Sequence, residues 1–299
     1  MTEKILGIGD PHLREYSDLG PDFENKIRRI TEQKGIDAII TVGDILDKLP
    51  EDRTESDIEV GRKFFEALNT TEIPVLTVGG NHDYDAHTEI VEDFENVIDL
   101  DHNTATYDLN GTEYSFIGRG ATKFDQGPEI PLDILNKYSE ETEDYTENTW
   151  EELEEDLEHI QEDVWYSDLE EYFEVENDDR KEFRNSIDFF LEEYNQTADM
   201  FDLATGDKTV YVNHSPPFNT EVDINLSGNN NGSLVDKKII RNYKPDLAVS
   251  GHLHDGGEFY LEQEDTTTTI ANLGKRHLVE LESSEGQAVT YRPLNRPDI

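Results

Sequence analysis

The sequence predicts an α/β protein, and three features carry that prediction. Residues 5–10, 38–44 and 74–83 are apolar runs that stop at glycine and polar residues. Amphipathic helical patterns over residues 23–34 and 57–68 separate them. Short apolar strands alternating with helices are the mark of βαβ units with strands buried on both faces. In such sheets ligand-binding residues sit just beyond the carboxyl ends of the strands, and all three polar clusters fall there.

Further along, residues 107–109 and 114–118 flank Asn110-Gly111. That dipeptide favours a type I′ turn, so a β-hairpin opening a second sheet is expected. The chain changes character over residues 125–205, and half of residues 140–179 are acidic. Yet Trp150, Leu153, Leu157, Ile160 and Val164 advance by three and four, marking one face of a helix. A second helix is expected over 179–195. Residues 125–205 are therefore read as an acidic helical insertion within one domain spanning 1–299, its acidic face solvated and its apolar face on the body. It is also a candidate cap or oligomer contact. Strand runs return at 209–213, ending at His214, and at 247–250, ending at Gly251-His252-Leu253-His254. Ser233 followed by Asp236 has the pattern of an N-cap with an acidic third position, opening a helix to about residue 242. The runs 258–261, 267–271, 277–281 and 288–292 read as antiparallel strands.

Charge is the most unusual feature: 70 Asp and Glu against 25 Lys and Arg leave a formal charge of -45 over 299 residues. The 13 Phe, 13 Tyr and two Trp exclude a disordered acidic chain, which lacks such apolar surface. Molar salt shortens the screening length to roughly 3 Å and removes most self-repulsion, so a salt-rich cytoplasm accounts for the charge. A nucleic-acid mimic would concentrate its carboxylates on one face or tail, whereas here they are spread throughout. With no cysteine, disulfides and thiolate metal sites are excluded, and any metal must use Asp, His, Asn and water. Residues 2–4 run straight into the apolar stretch 5–8 without a signal-peptide pattern, and no apolar run is long enough to span a bilayer. A cytoplasmic protein without membrane contact is expected.

Five polar clusters follow the strand runs in order: Asp10-Pro11-His12, Gly43-Asp44-Ile45-Leu46-Asp47, Gly80-Asn81-His82-Asp83, Asn213-His214 and Gly251-His252-Leu253-His254. Each alone is an ordinary turn. Together, at the ends of neighbouring strands, they can converge on one sheet edge. In an extended triplet the first and third residues project to the same side, so Asp10 with His12, and His252 with His254, are expected to offer paired ligands. Gly43, Gly80 and Gly251 let the backbone turn closely beneath a metal. Five of the nine histidines fall in these clusters. His87, His102, His159 and His277 do not and read as ordinary surface or core residues.

This ordered set resembles the calcineurin-like metallophosphoesterase superfamily over most of the chain outside the insertion. His214-Ser215-Pro216-Pro217, and Lys244-Pro245-Asp246 before Gly251-His252, are similar to its small bacterial and archaeal members. The resemblance implies a four-layer αββα sandwich of two mixed β-sheets flanked by helices, with metals at one edge. It implies that Asp10, His12, Asp44 and His254 hold one divalent ion, and that Asp44 bridges to a second held by Asn81, His214 and His252. Mixed oxygen and imidazole donors suit Mn, Fe, Zn or Co, with Mn preferred. The implied reaction is hydrolysis of a phosphate ester, a diester ahead of a monoester, by a water activated between two metals and without a covalent enzyme intermediate. His82 would face the scissile phosphate, with Asp47 orienting and charging it, while Asp83 is either a loop support or a plain turn residue. Arg14 and Arg119 are candidate phosphate-binding residues, against the favoured alternative of surface ion pairs. Without a basic groove, a small substrate is preferred over nucleic acid, although a nuclease stays within the class. A catalytically inactive metal-binding or interaction protein is the other reading; it would show a substitution among the ligands or at His82, and none is visible.

Overall fold

The computed structural model describes residues 3–20, 22–121, 175, 179–224, 231–263, 266–275, 278–283 and 290–294. The helix expected around Trp150 to Val164 lies outside these residues, as do His159 and His277. In chain order the elements are β1 (Glu3–Ile8), α1 (Phe23–Lys34), β2 (Ala38–Thr41), α2 (Glu55–Asn69), β3 (Val75–Thr77), α3 (His87–Val91), β4 (Val97–Asp99), β5 (Asn103–Leu109) and β6 (Thr112–Arg119). There follow α4 (Arg180–Asp202), β7 (Lys208–Asn213), α5 (Leu234–Tyr243), β8 (Leu247–Ser250), β9 (Gly257–Gln263), β10 (Thr266–Asn272), β11 (Leu278–Ser283) and β12 (Thr290–Pro293). No helix among the described residues is long and apolar enough to cross a membrane.

Two six-stranded sheets form, ordered β12-β11-β1-β2-β3-β4 and β5-β6-β7-β8-β10-β9. β1 to β4 are parallel, β11 pairs antiparallel with β1, and β12 pairs antiparallel with β11 at the edge. In the second sheet β6, β7, β8 and β10 are parallel, with β5 and β9 antiparallel at the edges. Side chains alternate across a strand, and both faces are buried. Ile5, Ile40, Leu76, Phe116, Val210 and Val249 fill the space between the sheets. Leu6 and Ile39 pack outward with Ile27, Phe64 and Phe65 of α1 and α2, and Tyr211 and Ala248 pack outward with Phe183, Ile187 and Ile239 of α4 and α5. Helix, sheet, sheet and helix form the expected four layers.

Local signals explain the helix boundaries. A capping box between Thr54 and Asp57 opens α2, and the Ser233 hydroxyl accepts the Asp236 N–H at 3.0 Å to open α5. The buried face of α4 is Phe183, Ile187, Phe190, Tyr194, Thr197 and Phe201, one side chain every three or four residues. It carries α4 well beyond the expected end at 195. Asn110 and Gly111 both have positive φ, 56° and 95°, as a type I′ turn requires. One expectation fails: β10 is not wholly antiparallel, because it lies parallel beside β8. Its inner residues Thr268 to Asn272 are buried, whereas Glu258 and Tyr260 of β9 are exposed. The acidic strand therefore takes the edge, where charge discourages further pairing.

Arg119 corrects a second expectation. It is neither a surface residue nor placed to meet phosphate: its side chain is 1% exposed, with Nε 2.9 Å from Glu193 of α4 and Nη1 3.0 Å from Asp236 of α5. Tyr211 donates its hydroxyl to the same Asp236. This buried network fastens both outer helices to the second sheet.

A second ionic clasp holds the first sheet. Glu280 of β11 meets Lys4 of β1 at 3.1 Å and Lys34 at the end of α1 at 3.0 Å. Burial would raise the Glu280 carboxyl, but hydrogen bonds and charge from Lys34 and Lys4 outweigh it and hold the group below its ordinary value. A depressed folded-state value stabilises above the unfolded pKa and loses that contribution as pH falls through the folded one. Glu280→Gln is expected to lower unfolding stability at pH 7 by about 1–2 kcal/mol. Denaturant titrations should show the deficit shrinking below about pH 4; a deficit independent of pH would contradict the assignment.

Candidate metal centre

The seven expected ligands lie past the carboxyl ends of β1, β2 and β3 in one sheet and of β7 and β8 in the other, so the site straddles the seam between the sheets. Loop hydrogen bonds draw the two ends together. His12 N–H donates to Asp44 O at 2.9 Å, Gly251 N–H to His214 O at 2.9 Å, and His214 Nδ1–H to Val42 O at 2.6 Å. The triplets are not extended. His12, Asp44 and His252 have φ of 45°, 49° and 65°, a left-handed conformation costing roughly 1–2 kcal/mol in a side-chain-bearing residue. Three strained residues in one site, each a predicted ligand, mark backbone shaped for function. The expected convergence holds, but by left-handed turns rather than by strand alternation. Gly80 and Gly251 are required by close approach: a Cβ would stand 2.3 Å from Asp44 Oδ1 at the first and 2.2 Å from Asp10 Oδ1 at the second.

One donor set is tightly assembled. His214 Nε2 is 3.0 Å from Asn81 Oδ1, His252 Nδ1 is 3.1 Å from the same oxygen, and the two nitrogens are 3.3 Å apart. Asp44 Oδ1 joins them, 3.6 Å from His214 Nε2. A carbonyl can only accept, so His214 Nδ1 carries its proton to Val42, which leaves Nε2 as the nitrogen facing Asn81 Oδ1. The other carboxylate oxygen of Asp44 faces elsewhere, 3.4 Å from His12 Nε2. The His12 ring lies 4.7 Å from that of His82 and 5.5 Å from that of His254. Asp10 is wholly buried, whereas His254 is exposed at the mouth.

His82 stands beside this second set, since donor atoms of His12, Asp44 and His82 all lie within 4.8 Å of one another. Its backbone N–H donates to Asp44 Oδ1 at 2.9 Å. Its Nδ1–H donates to Asp47 at 2.8 Å, but to the backbone carbonyl. The Asp47 carboxylate instead pairs with Arg14 Nε at 2.7 Å and approaches His12 Nδ1 at 3.9 Å. Asp47 therefore orients His82 without lending it charge directly. Asp83 settles its two readings as a loop support: fully buried, it accepts Ile45 N–H and Gly80 N–H, each at 2.6 Å, tying the second motif to the third.

Three neighbours escaped the motif reading. The Arg53 guanidinium donates to the His82 carbonyl at 3.0 Å and pairs with Asp85, holding the His82 loop from behind. Asn231 Nδ2 lies 3.2 Å from His252 Nε2. Neither Arg53 nor Asn231 ends a strand, so nothing in their local sequence marks them. Lys275 does carry such a signal, because Asn272-Leu273-Gly274-Lys275 closes β10 with the same run of strand, glycine and polar residue.

Electrostatics favour cation binding. Burial, with the Asp44 charge, pushes the Asp10 carboxyl well up despite His214, and burial and Asp44 also raise Asp83. Burial opposes ionisation of Asp44 too, but His214, His12 and His82 prevail and hold it down. Burial takes His12 down to about 4 and His252 to about 3, so both imidazoles are neutral and offer lone pairs. His214 is the exception: the charges of Asp44 and Asp10 outweigh burial and raise it.

The residues fit divalent metal on two counts. Both Asp10 carboxylate oxygens are buried without a hydrogen bond of normal geometry, although the backbone of Asp10 and His252 lies close enough to favour the anion. Donors about 2.1 Å from a common cation stand about 3.0 Å apart at right angles and about 3.4 Å apart at the tetrahedral angle. The 3.0, 3.1 and 3.3 Å separations among Asn81, His214 and His252 match that spacing.

A family model described as calcineurin-like phosphoesterase matches residues 3–256. No curated protein matches the chain. Among solved structures, one chain is 17% identical over 99% of this chain and 100% of its own, with a TM-score of 0.56. The Thermus thermophilus protein TT1561 is 14% identical, covering 93% and 94% of the respective chains, with a TM-score of 0.53. GAP50, the anchor in the inner membrane complex of Plasmodium, is 11% identical over 98% and 89%, with a TM-score of 0.51. At these identities the structures establish the fold, and the family match spans every one of the strand-end clusters. The chain belongs to the calcineurin-like phosphoesterase family, a family of metal-dependent phosphoester hydrolases.

Proposed function

We propose that this protein is a dinuclear phosphodiesterase acting on a compact ester, with Mn the preferred metal ahead of Fe, Zn or Co. The observation that carries the proposal is Asp44, whose two oxygens face separate donor sets, one toward His214 and the other toward His12. Asp10, His12, Asp44 and His254 would hold one ion, and Asp44, Asn81, His214 and His252 the other. Two divalent ions held there would polarise the phosphoryl oxygens and make water a competent nucleophile at neutral pH.

The chain's own groups supply the rest. His82 donates Nδ1–H to the Asp47 carbonyl, which fixes the ring; as the doubly protonated imidazolium it would give its Nε2 proton to the leaving oxygen as the P–O bond breaks, and remain as the neutral Nδ1–H tautomer. Asp44 is kept in orientation by the His82 backbone N–H, and Arg53 keeps that backbone in place. Arg14, 72% exposed, is paired at the surface with the Asp47 carboxylate. Residues 1–299 are read as one domain, with 125–205 inserted as a cap or oligomer contact. The charge of -45 is read as adaptation to a salt-rich cytoplasm.

After purification in high salt and measurement of metal content, the Mn-loaded protein should hydrolyse a chromogenic phosphodiester faster than the corresponding monoester. Loaded protein that hydrolyses neither would sink the proposal. His82→Ala should keep its metal while kcat falls by about 10²- to 10⁴-fold; loss of metal would make His82 a ligand instead. Asp44→Asn should lower occupancy of both sites together, as read by metal analysis. On the charge reading, the thermal midpoint should climb steadily from 0.1 to 3 M KCl (roughly the range over which screening becomes complete), and a midpoint indifferent to salt would count against it.

A further inference from the structure

Lys275 lies where the last strand of the second sheet reaches the metal centre. Asn272 of β10 pairs in register with Ser250 of β8, so the turn that follows runs beside Gly251 to His254. Lys275 N–H donates to His254 O at 3.1 Å. One residue earlier, the Gly274 carbonyl packs where a side chain on Gly9 would begin, against the turn that carries Asp10. The backbone of Lys275 is thus pinned between the first and last ligand clusters, and its half-buried side chain is close enough to act electrostatically on His12, His254 and Asp47.

The other cations nearby are committed. Arg14 pairs with Asp47, Arg53 with Asp85 and the His82 carbonyl, and Arg119 is buried against Glu193 and Asp236. Lys275 forms no ion pair among the described residues, in a chain with 70 acidic side chains. A cation held beside a centre built to collect cations is unfavourable until an anion comes between them. An ammonium on a flexible stem, with three rotatable donors, suits a single phosphate oxygen.

Resting on the phosphoesterase reading above, we propose that Lys275 binds a non-bridging oxygen of the substrate phosphate and thereby selects phosphate esters for this site. Inorganic phosphate is the probe. Calorimetry on the Mn-loaded protein, at one fixed ionic strength, should show the phosphate Kd rising about tenfold or more in Lys275→Gln, with metal content unchanged. Lys275→Arg should recover most of the affinity, and on the chromogenic diester Lys275→Gln should raise KM more than it lowers kcat. A Kd within about twofold of wild type, a wild-type protein that binds no phosphate, or loss of metal in Lys275→Gln would each overturn the inference. A wild type that binds phosphate through Lys275 but hydrolyses no ester would defeat the phosphoesterase reading and leave the phosphate ligand standing.

Discussion

Asp44 is a carboxylate, 2% exposed, on a left-handed residue at the seam of two sheets, and the surrounding structure is arranged to keep it there. Its carbonyl accepts His12 N–H and its Oδ1 accepts His82 N–H. The next two N–H groups of its loop, those of Ile45 and Leu46, end on Asp83, and Val42 just before it receives His214 from the opposite sheet. A single loop therefore sets the relative position of four of the five clusters. This explains why the fold needs two sheets facing one another: β1, β2 and β3 deliver oxygen-rich donors, and β7 and β8 deliver imidazoles across the gap.

The arrangement is costly without cations. Asp10, Asp44 and Asp83 are all buried, and like charges in such surroundings repel by several kcal/mol. Burial and the Asp44 charge raise the Asp10 and Asp83 carboxyls, while His214, His12 and His82 hold that of Asp44 down against burial. Divalent ions would relieve that conflict. The excess negative charge of the rest of the chain is a separate matter, because it is distributed along the sequence.

Most of the site was legible because metal ligation leaves a local trace: a strand, a glycine and a short run of Asp, His or Asn. All seven expected ligands stand at the seam for that reason. What the trace does not encode is conformation. Asp10-Pro11-His12 looks like a stretch of strand, yet His12 is left-handed, and only the approach of Asp44 shows why. Arg119 reads in the sequence as a phosphate contact or a surface ion pair, and it is instead an ion pair buried beneath two helices. Its partners Glu193 and Asp236 lie 74 and 117 residues away, beyond the reach of local patterns. A separation of 29 residues likewise hid Arg53 behind His82, whereas the fold class, set by alternating strand and helix periodicities, was plain from the first hundred residues.

The bridging role of Asp44 is tested most directly by an anomalous-scattering crystal structure of the Mn-loaded protein. Two peaks are expected, one on each side of Asp44, with Asn81, His214 and His252 around one and Asp10, His12 and His254 around the other. A single peak, or two peaks neither of which touches Asp44, would contradict the claim that this carboxylate joins the two halves of the site.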